Sequence, residues 1–192
     1  MQTNPVYQKI YQLAKPHLNT RHNELHTDIC LRFGYRLIAA EGGNERIVIP
    51  AIILHDVGWQ QVPEELHLKA FGPKATMPEI TRLHETEGVK IARGILDAVN
   101  YDTEATARIL EIIDGHDTRK QAISLNDQIV KDADKLFRYS KKGFRIDIAR
   151  FGETYGQGLN RLRKTLPVYF FTDTARTLAR KELQKREREP ER

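Results

Sequence analysis

An apolar run, Ile52-Ile53-Leu54, stops on His55-Asp56 and is followed by Val57-Gly58, so a buried element of this chain ends in two metal-ligand side chains. A neutral imidazole and a carboxylate side by side can bind one divalent cation, and the carboxylate keeps a second oxygen to bridge to another. Further residues of these types lie on both sides, with His26 upstream and His84, His116 and Asp134 downstream. They fall on separate segments, so their convergence is a matter of folding, not of local spacing.

Those segments read as helices almost throughout. Pro5 suits a first helical position, and Val6, Ile10 and Leu13 follow at helical spacing toward an end near Pro16. Leu25, Ile29, Phe33 and Leu37 mark a long helix closed by Gly42-Gly43. A third helix runs from Glu45 to Asp56, with Pro50 in its first turn or at a kink. Between Gly58 and Pro78 the prolines Pro63, Pro73 and Pro78 predict a long loop with at most a short helix, the kind of loop that often carries function. Helical spacing returns with Ile80, Leu83, Val89, Ile91 and Leu96. Asp102 or Thr103 caps the next helix, and Ser124 caps the one bearing Ile129-Val130 and Leu136-Phe137. After Gly143 a less regular, aromatic-bearing region leads to Pro167 and a last helix. No alternating β pattern, repeat or linker interrupts the series. The expectation is an all-α bundle in a single domain over 1–192, with a motif-bearing core at 22–140 and a helical extension at 141–192.

At 192 residues, 40% hydrophobic and 30% charged, the chain has enough material for one real core. No apolar run approaches the roughly 20 residues of a membrane span, and Met1-Gln2-Thr3-Asn4-Pro5 shows no secretory pattern. The single cysteine, Cys30, sits in an apolar helical pattern as a small core residue, so a reducing cytoplasm is the expected location. The net charge of +5 favours an anionic ligand. From Arg176 onward basic residues alternate with Glu182, Glu187, Glu189 and Glu191, which marks a solvated helix and not a nucleic-acid arm. Neither nucleic acid nor membrane is the expected partner, and self-association is compatible with these features.

His26 shares a helical face with Cys30, Phe33 and Leu37, which aims it inward. Asp134 faces the same core as Val130 and Leu136, and a carboxylate there is costly unless paired or metal-bound. Asp132 points elsewhere. The ordered series of His26, His55-Asp56 and an Ala133-Asp134-Lys135-Leu136 stretch resembles the HD superfamily of metal-dependent phosphohydrolases over residues 22 to 140. His26-x-x-Ile29 fits the opening of that pattern better than His22. His84-x-x-x-Gly88 and His116 after Ile112-Ile113 look like the extra histidines of members that hold two metals.

The resemblance implies an HD-type helical bundle with His26, His55, Asp56 and Asp134 on one ion and Asp56, His84 and His116 on a second, Asp56 bridging as the catalytic carboxylate. Iron or manganese is favoured, with zinc, cobalt, nickel or magnesium compatible. The implied activity is hydrolysis of a phosphate ester or anhydride, on a nucleotide or another small phosphorylated molecule, by a metal-activated hydroxide. The alternatives are a di-iron oxygenase of the same ligand set and a non-catalytic nucleotide-binding regulator. One departure stands out: where several subgroups carry a lysine or acidic residue just after the HD pair, this chain has Gly58-Trp59-Gln60-Gln61. Candidate cations for a phosphate are Lys69, Lys74, Arg82, Arg119 and Arg138. Glu85, Asp114 and Asp117 are acceptors for the histidine N–H groups or proton relays, and His17 and His67 are expected at the surface.

Overall fold

The computed structural model describes residues 4–72 and 75–189, and among them it contains helices and no strand. In chain order the helices are α1 (Pro5–Ala14), α2 (Asn23–Glu41), α3 (Glu45–Leu54), α4 (His67–Ala70), α5 (Pro78–Ala98), α6 (Thr103–Ile113), α7 (Leu125–Tyr139), α8 (Lys141–Phe151), α9 (Tyr155–Tyr169) and α10 (Asp173–Arg188). The all-α architecture is as the periodicity predicts. None of these helices is long and apolar enough to cross a membrane.

Helix α3 is the axis of the bundle. All of Ile47 to Leu54 is buried, as befits a helix that is apolar on every side. Helices α1, α2, α6 and α7 pack around it. Pro50 lies in the interior of α3 and not in its first turn. A proline there cannot donate to the carbonyl four residues back, and the Tyr101 hydroxyl donates to Arg46 O instead, at 2.7 Å. The expected caps form: Asp102 and Ser124 accept from the first turns of α6 and α7, and Gly42 closes α2 with φ +81°; Asn4 caps α1 as well.

Two regions depart from the sequence reading. The stretch after Gly58 is more ordered than a plain loop, with 3-10 turns at Val57–Gln61 and Glu64–Leu66 before the single turn of α4. Pro73 and Lys74 lie outside the described residues. His67 is buried here, its Nε2 facing Val62 O at 3.0 Å and its ring edge-on to Trp59, so it is a packing residue and not a surface one. The irregular region expected after Gly143 is two helices, α8 and α9, and Pro167 sits inside the last turns of α9. Low local propensity is overridden by packing: Gly143 and Gly158 allow approaches, to the Phe137 carbonyl and to Phe144 and Ile148, that a Cβ would block.

The charged final helix is half embedded. Ala175, Leu178, Ala179 and Leu183 are buried against the rest of the chain. Its entry is tied to α7 by Asp132, a fully buried carboxylate that accepts from Phe171 N, Thr172 N and the Thr172 hydroxyl at 2.8–2.9 Å. Asp132 thus points away from Asp134, as expected, and has a structural task of its own. Asp132→Ala would leave three buried donors without an acceptor and is expected to cost about 2–4 kcal/mol in urea denaturation. Metal content should be unchanged in that variant.

Candidate metal centre

The end of α3 delivers the first two groups. Beyond Leu54 the helix carbonyls lose their intrahelical donors, and Ile52 O takes a hydrogen bond from His55 Nδ1 at 2.8 Å. That bond places the His55 proton on Nδ1 and turns Nε2 inward as a lone pair. Asp56 follows in the bridge region of backbone space, φ −103° and ψ 5°. Its carbonyl accepts from Asn23 Nδ2 at 3.3 Å, and its Oδ1 accepts from the Trp59 indole N–H at 3.1 Å.

The end of α6 repeats the device. His116 Nδ1 donates to Ile113 O at 2.9 Å, again leaving Nε2 for the interior. The turn that carries His116 is held on both sides by buried charge. Glu85 accepts from Asp117 N, Thr118 N and the Thr118 hydroxyl at 2.6–2.9 Å. Lys131 donates to Gly115 O, His116 O and Arg119 O at 2.6–3.1 Å. His84, one residue before Glu85, stacks on Trp59 with centroids 4.1 Å apart. Gly58 lets this approach happen, since a Cβ there would collide with the backbone of His84 and Gly88.

His26 and Asp134 come from α2 and α7, which pack together. The His26 ring meets Phe137 edge-on at 4.5 Å. Its Nε2 lies 2.9 Å from His55 Nε2 and 3.3 Å from Asp134 Oδ1. On the other side His84 Nε2 lies 3.2 Å from His116 Nε2. Asp56 stands between: Oδ2 is 3.5 Å from His26 Nε2, and Oδ1 is 3.6 Å from His116 Nε2 and 4.0 Å from His84 Nε2. Two groups of three, His26–His55–Asp134 and Asp56–His84–His116, each present ligand atoms all within 4.8 Å of one another. Ligands about 2.0–2.2 Å from a shared cation are themselves about 3–4 Å apart, so these donor sets fit divalent cations.

Burial pushes the His26 and His84 imidazoles down to about 4, so both are neutral near pH 7. Burial also opposes charge on His116, but the carboxylates of Asp56, Asp117 and Glu85 outweigh it and raise that ring to about 10. Burial works against the Asp56 carboxylate as well, while His55, His116, His26 and Arg21 hold it well below the usual carboxylate range. In the absence of metal a proton therefore sits on His116 Nε2, the atom a cation needs.

The centre opens through His26, Asp56 and Asp134 onto a cavity of about 220 Å³ whose wall includes Arg21, Trp59, Phe71, Arg138 and Arg150. Of the described cations named from the sequence, only Arg138 lines it. Lys69 is exposed on α4, Arg82 is paired with Glu85 and Asp114, and Arg119 is spent on Glu111 O, Asp114 O and Asp127. Lys74 lies outside the described residues. Arg21 and Arg150 were not legible as site residues: neither stands beside a ligand in sequence. Asp117 also lines the cavity, with Oδ2 3.6 Å from His84 Nε2. Ala70, Phe71 and Gly72 bring the segment after Gly58 to the rim.

A helical bundle that brings two histidine–carboxylate clusters side by side defines a metal-dependent hydrolase class. Residues 25–139 match the HD domain family, and the chain belongs to that family, whose members bind divalent metals. The crystal structure of a predicted HD superfamily hydrolase from an uncultured Thermotogales bacterium superposes with a TM-score of 0.63 at 20% identity, covering 96% of this chain and 89% of that one. That likeness is one of fold. No curated protein matches the chain.

Metal uptake is expected to displace the His116 proton, releasing about one proton per protein near pH 7.5, measurable by calorimetry in buffers of different ionisation enthalpy. The raised His116 value supports the metal-free fold fully below its ordinary 6.5 and is lost as pH rises through about 10. Raising pH across that window should therefore weaken the metal-free fold in thermal melts while tightening metal binding.

Proposed function

We propose that this protein is a metal-dependent phosphohydrolase of the cytoplasm, cleaving a phosphate ester or anhydride of a small molecule, with a nucleotide as the expected class. The observation that carries the reading is that the two ligand clusters reach, through His26, Asp56 and Asp134, a cavity walled by three guanidiniums, Arg21, Arg138 and Arg150. Such an arrangement suits an anion that must meet both cations and fixed N–H donors. His26, His55 and Asp134 are assigned to one ion, His84 and His116 to the other, and Asp56 to both. Iron or manganese suits this imidazole–carboxylate set. Two divalent ions bound there supply Lewis acidity and lower the pKa of a coordinated water toward about 7.

The chain's own groups divide the remaining work. Arg138 and Arg150 are anchored on the buried Asp147, with the Arg138 contact at 2.9 Å and the Arg150 contact at 3.6 Å. Anchored guanidiniums lose little freedom when they meet a phosphate, and they orient it over the ligand clusters. Trp59 and Phe71 wall the cavity with apolar surface, which strengthens each charge interaction inside. Gly72, Arg138 and Tyr169 also line a second, wider cavity of about 640 Å³ whose other walls include Gln157, Asn160, Lys164 and Thr165. It offers hydrogen-bonding room for a nucleoside-sized leaving portion, and this supports the nucleotide reading.

The test is metal analysis of the isolated protein, followed by a phosphate-release screen over nucleotides with each metal restored and oxygen uptake followed in parallel. Phosphate release without oxygen consumption is the expected result. Asp56→Ala should lose both metal and turnover, and full metal content in that variant would sink the assignment. His84→Ala or His116→Ala should reduce bound metal from two ions toward one and lower kcat/KM at least about 100-fold.

A further inference from the structure

Arg21 differs from every other cation of the cavity. Its guanidinium carbon lies 3.6 Å from the Trp59 ring centroid and 4.1 Å from that of Phe71. Nε and Nη1 are buried and have no hydrogen-bond partner among the described residues. Arg138 and Arg150 share Asp147, so much of their donor capacity is spent. A guanidinium buried with idle N–H groups is costly unless a ligand supplies the acceptors.

The backbone is committed to holding it there. Arg21 and His22 adopt φ +53° and +62° in succession, a left-handed conformation that non-glycine residues rarely take. Strain of this kind persists where the surroundings over-determine it, and it clusters at ligand clamps. Here Arg150 Nη2 donates to Arg21 O at 2.8 Å, and α2 begins directly afterwards at Asn23, whose side chain reaches the Asp56 carbonyl.

Trp59 joins the parts. The same indole that Arg21 covers stacks on His84 and donates to Asp56 Oδ1. Trp59 therefore sets the guanidinium relative to two of the ligand groups. It lies in the 3-10 turn just after His55-Asp56. In this chain the cation comes from the α1–α2 connection and is seated on the tryptophan.

We infer that Arg21 is the substrate-binding guanidinium of the site, donating its idle N–H groups to the phosphoryl oxygens while Trp59 holds it in place. This rests on the phosphohydrolase reading above. The fixed fork of Arg matches phosphate in a way the point charge of Lys does not. A charge-assisted hydrogen bond lost from a buried site weakens binding by about 10- to 100-fold.

The experiment uses the full chain loaded with manganese and inorganic phosphate as the probe, read by calorimetry and by the emission of Trp59, the single tryptophan. Phosphate should bind the unsubstituted protein and change that emission. Arg21→Gln should keep its metal, bind phosphate about 10- to 100-fold more weakly and lose the emission response, with KM for the substrate raised in step. Arg21→Lys should recover part of the affinity only. Arg21→Gln with full metal content and phosphate affinity within about twofold of the unsubstituted protein overturns the proposal alone. Failure of the unsubstituted, loaded protein to bind phosphate overturns it together with the phosphohydrolase reading. If Arg21→Gln does not fold, a saturating phosphate titration that leaves Trp59 emission unchanged in the unsubstituted protein overturns it.

Discussion

Two backbone carbonyls, Ile52 O and Ile113 O, set the chemistry of this molecule. Each belongs to the last turn of a helix, where carbonyls lack an intrahelical donor. Each takes the Nδ1–H of the histidine three residues on, which fixes the ring's tautomer, and Ile113 O accepts from Gly115 N and His116 N as well. The inward Nε2 atoms then face His26 and His84 at 2.9 and 3.2 Å. Ring nitrogens brought that close invite a shared proton or a cation. Asp56, placed by the same helix end as His55, presents one oxygen to each pair.

Holding helix ends this way requires the helices themselves to be immobile. Burial of α3 on all sides does that for His55 and Asp56. The turn after α6 has no comparable apolar anchor, and buried charges take its place. Glu85 gathers the N–H groups of residues 117 and 118, and Lys131 gathers the carbonyls of residues 115, 116 and 119. An acidic group collecting donors and a basic group collecting acceptors, on opposite sides of one turn, leave His116 little freedom. Such groups are expensive to bury and are tolerated because each is nearly saturated with partners.

Legibility follows from how local each cause is. The helices up to α7, the Gly42, Asp102 and Ser124 caps and the inward aim of His26 and Asp134 depend on spacing within one segment, and the sequence reading placed them, apart from the short α4. Gly58 and Trp59 were visible only as a departure from a pattern, because what they do depends on α5 and on Arg21. Pro50 reads as a first-turn residue or a kink until Tyr101, from beyond α5, is seen to serve the carbonyl it abandons. His67 reads as a loop residue until Trp59 and Val62 enclose it. The cations were the least legible. Arg82 and Arg119 stand near ligands in sequence yet are consumed by Glu85, Asp114 and nearby carbonyls, whereas Arg150 reaches the cavity from α8, a helix that periodicity alone did not reveal.

The charge balance of the cavity links metal to substrate. Its lining holds three guanidiniums, Arg21, Arg138 and Arg150, against four carboxylates, Asp56, Asp117, Asp134 and Asp147. Without metal the proton on His116 only balances the fourth carboxylate, despite the +5 charge of the whole chain, and a phosphate would face Asp56 and Asp134 directly. Divalent cations held there, as proposed, would make the field positive, and the low-dielectric walls of Trp59 and Phe71 would amplify the change. Affinity for an anion then depends on prior metal loading, even though the arginines are always charged. On the proposed reading the guanidiniums would confer orientation, and the metals the sign of the field.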